Sequence, residues 1–173
     1  MKQFICIIMA LSLIFVCGCR NKEDSGGDTT VNFYYCSDQI EYNGNGGVIK
    51  PEARQVHLPD LDTELQELIN VYFNGPVSNN LRSPFPSGVT LKNYSTNNGV
   101  LQVILSIQIS QLEDYDLTLA CACLTKTLLE VFPAEAVEIR AEGGKMGDSI
   151  SVSMSNNTLL FIDNCMQANN KEP

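Results

Sequence analysis

Between Asp114 and Phe132 lies a segment, DYDLTLACACLTKTLLEVF, whose apolar side chains leave almost no direction free. At 3.6 residues per turn Leu117, Cys121, Leu124, Leu128 and Phe132 share one face, while Leu119 and Cys123 fall on another. A helix of this kind cannot rest on a surface with one side in water; it must be covered on more than one side. Asp114 and Asp116 stand at its start, where carboxylates accept orphan N–H groups and oppose the positive end of the macrodipole, and Pro133 stops it. The rest of the chain has to supply the covering surfaces.

Strands supply them on both sides in sequence. Val31, Phe33 and Tyr35 alternate against Asn32 and Tyr34, and after the turn Gly44 to Gly47 the stretch Val48 to Leu58 is extended. That stretch carries Pro51, which cannot donate to a ladder and so belongs at a sheet edge. Leu61, Leu65, Leu68, Ile69 and Tyr72 form the apolar stripe of a first helix, with Asp60 or Asp62 to cap it and Gly75-Pro76 to end it. Val89 to Tyr94, Asn97-Asn98-Gly99 and the alternating Leu101, Val103, Leu105 and Ile107 read as a hairpin in which Gly99 takes a positive φ. Val137, Ile139 and Ala141, then Ile150, Val152 and Met154, alternate as two later strands. The order β(β)αββαβ(β) predicts an α+β fold, a mixed or antiparallel sheet with two main helices packed on one face. A chain of 173 residues with 44% hydrophobic side chains supports one such core.

Ahead of this domain the chain begins Met1-Lys2, runs apolar from Phe4 to Val16, and closes on Cys17-Gly18-Cys19. That is an export signal, too short for the about 20 apolar residues of a membrane span. Val16-Cys17-Gly18-Cys19 resembles a bacterial lipobox, in which the last cysteine is thioether-linked to diacylglycerol and becomes the first residue. Residues 1–18 are then the signal peptide, 19–30 the lipidated Cys19 and a tether, 31–165 the domain and 166–173 a disordered tail. The tether RNKEDSGGDTT has no apolar residue, and its eleven residues reach at most about 35–40 Å. Acyl chains contribute roughly 0.8 kcal/mol per buried methylene, so the expected location is the extracytoplasmic face of a membrane, held by acylated Cys19.

The formal net charge of −9 argues against nucleic acid and against electrostatic attachment to anionic lipid. Little suggests catalysis, a cofactor or a metal. The single histidine, His57, sits in an extended, proline-bearing segment with no nucleophile motif beside it, and reads as an exposed loop residue. Cys121 and Cys123 are turned about 200° apart on a helix, which prevents a mutual bridge and leaves packing as their role. Of the remaining thiols, Cys36 and Cys165 are the candidate disulfide pair in an exported chain, although a domain of this size folds without staples.

Several local words, in this order, resemble the GerMN domain, named for a spore-germination lipoprotein of endospore-forming bacteria. They are VNFYY, LINVYFNGP, PSGVTLKN, GVLQVILS and LTLACACLTKTLLEV leading to VEIRAEG, spread over roughly Val31 to Asn164. Asn74-Gly75-Pro76 matches the family's helix-ending Gly-Pro, Pro86 the proline of its Pro-x-Gly segment, and Arg54 its arginine after the second extended segment. The resemblance implies an α+β module similar to the ring-building modules of envelope assemblies, acting through protein contacts rather than catalysis. The expected function is therefore that of an assembly component of the cell envelope, in sporulation or germination, with another envelope protein as partner. The alternative is a single-domain binder of a small ligand or wall polymer. Two departures matter: the germination lipoprotein resembles a tandem of two modules, and its strand Val-Asp-Leu-Ser is here Val103-Ile104-Leu105-Ser106. An outward acid is thus replaced by Ile104. With Arg54 it is a candidate for an interaction surface, unless the segment Ser149 to Asn164 covers that face of the sheet.

Overall fold

The computed structural model describes residues 28–38, 47–57, 61–142 and 150–159, with backbone alone for 61–64. Its elements are β1 (Asp28–Ser37), β2 (Ile49–His57), α1 (Leu61–Phe73), β3 (Leu81–Arg82), β4 (Leu91–Asn97), β5 (Val100–Leu105), a short 3-10 helix (Ile107–Gln111), α2 (Asp114–Val131), β6 (Ala136–Ala141) and β7 (Ser151–Ser155). The α+β class and the alternation of strands and helices agree with the sequence. The strands, however, form two sheets, ordered β2-β1-β3 and β4-β5-β6-β7. All pairings are antiparallel except β5 with β6, whose parallel register requires the crossover that α2 provides.

α2 explains the division. The N–H of Tyr34 donates to Thr127 Oγ1 at 3.0 Å and that of Asn32 to Glu130 Oε2 at 3.3 Å, so helix side chains occupy the edge of β1 where another strand would pair. Tyr34 adds its hydroxyl to Glu130 Oε1 at 2.6 Å, and Lys126 Nζ lies 5.3 Å from the Tyr34 ring centroid. An exposed edge is a template for unwanted pairing, and here a helix blocks it. Thr127→Val keeps the shape and removes the acceptor of the Tyr34 amide; it should cost about 1–3 kcal/mol and speed hydrogen exchange at that amide. Unchanged exchange at Tyr34 would mean that the edge is closed by something else.

The breadth of the apolar surface on α2 is used fully: residues 119–125, together with Thr127 and Leu128, are buried. One side meets β1 and another meets β6 and β7. The acids at its start do not cap by hydrogen bond; the N-cap is Glu113, without a side-chain cap, and Asp114 and Asp116 sit in the first turn, where only the macrodipole is served. α1 buries Leu65, Leu68, Ile69 and Tyr72 as its stripe predicts. It ends with Gly75 at φ 82°, whose N–H donates to the Tyr72 carbonyl at 3.1 Å. Asp60, and the side chain of Asp62, lie outside the described residues.

The hairpin turn is of the primed kind that suits strand twist, with Asn98 at φ 50° and Gly99 at φ 77°. β2 holds Pro51 on the sheet edge, opposite Tyr34. β1 begins three residues earlier than composition suggests, because Asp28, Thr29 and Thr30 pair with His57, Val56 and Gln55 while their side chains stay in water. His57 is therefore a strand end rather than a loop residue, its Nδ1 3.4 Å from Asp28 Oδ1.

Candidate interaction surface

On the four-stranded sheet Leu101, Val103, Leu105, Val137, Ile139 and Met154 point inward and are buried. Leu65 of α1 and Phe132 beyond α2 line one hollow with Tyr94, Thr96 and Leu101 on this same side, and α2 also packs on β6 and β7, so both helices lie on one face. The opposite face carries two cross-strand rows set by the register. One runs Ser95, Gln102, Glu138, Ser153; the next runs Asn93, Ile104, Arg140, Ser151. Among the described residues no helix packs on these rows. Of the segment Ser149 to Asn164, residues 150–159 are described: Ser151–Ser155 form β7, which widens the sheet, and Met154 and Leu159 are buried.

Glu138 organises the exposed face. Its Oε1 accepts from Arg140 Nη2 at 2.7 Å, Arg140 Nε at 2.9 Å and Ser151 Oγ at 3.0 Å, and its Oε2 accepts from Gln102 Nε2 at 2.8 Å. Ser95 Oγ continues the chain to Gln102 Oε1 at 3.2 Å. The Arg140 hydrogen bonds hold the Glu138 carboxyl below its usual range, against the opposing effect of desolvation, with help from Ser151 and Gln102. Side chains tied in this way have already lost much of their rotamer freedom. Ile104 stands in the middle of this lattice, half-buried between Asn93 and Arg140, and is its apolar point.

Arg54 lies elsewhere and is largely taken up by the fold. Its guanidinium carbon is 5.3 Å from the Phe33 ring centroid and 5.6 Å from that of Tyr35, its Nη2 donates to the Gly75 carbonyl at 2.7 Å, and it pairs with Glu52. Glu52 in turn accepts from the N–H groups of Val77 and Ser78, the latter at 2.8 Å. Burial pushes the Glu52 carboxyl up, but the Ser78 and Val77 amides and Arg54 together outweigh it and hold the group below its usual range. The pair thus clamps the turn after α1 onto β2, and only 15% of the Arg54 side chain remains exposed.

Cys19 and Cys165 lie outside the described residues. Cys36 is a free, fully buried thiol, as are Cys121 and Cys123. No group of three or more metal-ligating side chains converges among the described residues, and no described helix is long and apolar enough to cross a membrane. The hollow of about 200 Å³ lined by Leu65, Tyr94, Thr96, Leu101, Phe132, Pro133 and Ala134 is apolar and smaller than the about 300–1,000 Å³ of typical ligand clefts.

The fold is thus an α+β module with both helices on one face of a four-stranded sheet and an ordered polar lattice on the other. The chain belongs to the Germane family, described as sporulation and spore germination, whose model matches residues 32–147. It is similar to the first GerMN domain of the sporulation protein GerM from Bacillus subtilis, at 20% identity and a TM-score of 0.50, over 75% of this chain and 98% of that one. With the tandem GerMN domains of the same protein the identity is 19% and the TM-score 0.48, over 75% of this chain and 46% of the tandem, so this chain spans about half the length of the tandem structure. Among curated proteins none matches. At 20% identity the likeness to the single domain bears on the fold alone.

Proposed function

We propose that this protein is a non-enzymatic, lipid-anchored envelope component whose GerMN domain presents the outer face of its four-stranded sheet to another envelope protein. The observation that carries this reading is the lattice around Glu138: an ordered polar surface with Ile104 at its centre and no described element covering it. Acylation of Cys19 supplies the anchor, and the short tether keeps the surface close to the membrane on the extracytoplasmic side. Membership in a sporulation and germination family makes that process the first place to look for the partner.

The test is crosslinking on intact cells followed by pull-down, in vegetative and sporulating cultures, with Ile104→Glu and Cys19→Ala beside the parent chain. A specific protein should be recovered with the parent chain and lost with Ile104→Glu, whose far-UV circular dichroism should match the parent's. Cys19→Ala should release the domain from the membrane. Recovery of no specific protein, together with retention on purified cell wall, would replace the assembly reading with the polymer-binding one.

A further inference from the structure

We infer that Cys36 and Cys123 form a disulfide when the chain folds in an oxidising compartment, stapling β1 to α2 across the seam between the two sheets. The register of that seam carries the inference. Asn32 meets Glu130 and Tyr34 meets Thr127, so β1 and α2 run in opposite directions along each other. Two further residues of strand advance about 6.6 Å and four further residues of helix back along its axis about 6 Å, which brings Cys36 level with Cys123. Cys36 has the same parity as Tyr34, whose side chain reaches α2 through Glu130. Each thiol is among the groups that shift the other's pKa, as only near neighbours do, and both are fully buried. Cys121, two residues away on the helix and turned aside, is a free buried thiol among the described residues and serves as an internal control.

The chemistry is thiol–disulfide exchange with a disulfide oxidant, either an oxidised dithiol protein or glutathione disulfide. Either thiol can attack first while the chain is still open. With Cys36 as the attacking sulfur, its thiolate forms a mixed disulfide and expels one oxidant sulfur as thiolate. Cys123 gives up its proton, attacks the Cys36 sulfur and expels the second. Two protein thiols are oxidised, one oxidant disulfide is reduced to two thiols, and the two protons end on those thiols. Because both sulfurs are enclosed in the finished fold, the exchange belongs to folding, before β1 and α2 close over it. In the cell it rests on the export reading; in a refolding experiment it does not.

The test uses the full chain, reduced and denatured, refolded with glutathione disulfide, then unfolded in acid and blocked with N-ethylmaleimide without reduction before peptide mass analysis. The expected result is a Cys36 peptide joined to the Cys123 peptide, lighter by about 2 Da than the two free peptides, with Cys121 blocked. Cys121→Ala should keep the joined peptide and Cys36→Ala should lose it. Blocking of Cys36 and Cys123 in the refolded parent chain would overturn the inference, and so would a joined peptide pairing Cys36 with Cys165.

Discussion

Tyr72→Ala should remove most of the stability of the domain, about 3–5 kcal/mol of a total on the order of 5–15 kcal/mol. The Tyr72 ring is fully buried and stacks on Tyr35 with centroids 5.0 Å apart and on Phe33 at 6.4 Å, while Phe73 and Phe85 meet it edge-on at 5.7 and 6.1 Å. Its hydroxyl donates to the Tyr34 carbonyl and its own carbonyl accepts from the Tyr35 hydroxyl, both at 3.0 Å. Alanine would leave a cavity bordered by four aromatic rings that cannot all collapse into it. Tyr72→Phe removes only the hydroxyl and should cost about 1 kcal/mol, so the two variants separate packing from hydrogen bonding. Denaturant titration reads both; a loss below about 1.5 kcal/mol for Tyr72→Ala would show that this ring is not the centre of the core. Tyr35 adds a pH arm. Burial pushes its phenol up to about 12, so the folded state favours the protonated form. That contribution is complete below pH 10, where an unfolded tyrosine is also protonated, and is lost as the pH rises toward about 12.

Much of this architecture could be read from the sequence because it is written in side-chain periodicity. The all-round apolar surface between Leu117 and Phe132 demanded two coverings and received them, Pro51 put β2 at an edge, and Asn98-Gly99 made the hairpin. What periodicity could not show depends on groups that meet only in three dimensions. The added start of β1 at Asp28 is held by backbone pairing with exposed side chains, which leaves no apolar trace. The division into two sheets follows from Thr127 and Glu130 reaching the edge of β1, and polar residues on a helix carry no sign of that use. β3 is two residues long, below what any pattern marks. The surface was half legible: Ile104 broke the expected polar alternation of β5, but the lattice that frames it needed the parallel register of β5 with β6. For Cys36 the sequence offered Cys165, which lies outside the described residues, whereas the seam with α2 brings Cys123 level with it, a relation that no sequence pattern marks.

Arg54→Ala should be the second most costly change, at about 2–3 kcal/mol, because it withdraws three things at once. Phe33 and Tyr35 lose the guanidinium that covers their rings, the Gly75 carbonyl loses a donor, and the Glu52 carboxylate loses its counter-charge while it still holds the Val77 and Ser78 amides. Arg54→Lys should recover only part of the loss, since a single ammonium cannot reproduce the planar fork that reaches both Glu52 and Gly75. The pH dependence has a definite sign. The Glu52 carboxyl is held below its usual range in the fold, so its contribution is fully present above the ordinary carboxylate range and disappears as the pH falls through the lower, folded value. Arg54→Ala weakens the interactions that lower it and should therefore flatten the acid limb of the stability curve, and Glu52→Gln should flatten it further. An acid limb with the parent's slope in Glu52→Gln would assign that limb to other carboxylates. A flat acid limb in Glu52→Gln, with the domain still folded at neutral pH, would show that the clamp on the turn after α1 is where acid first opens the fold.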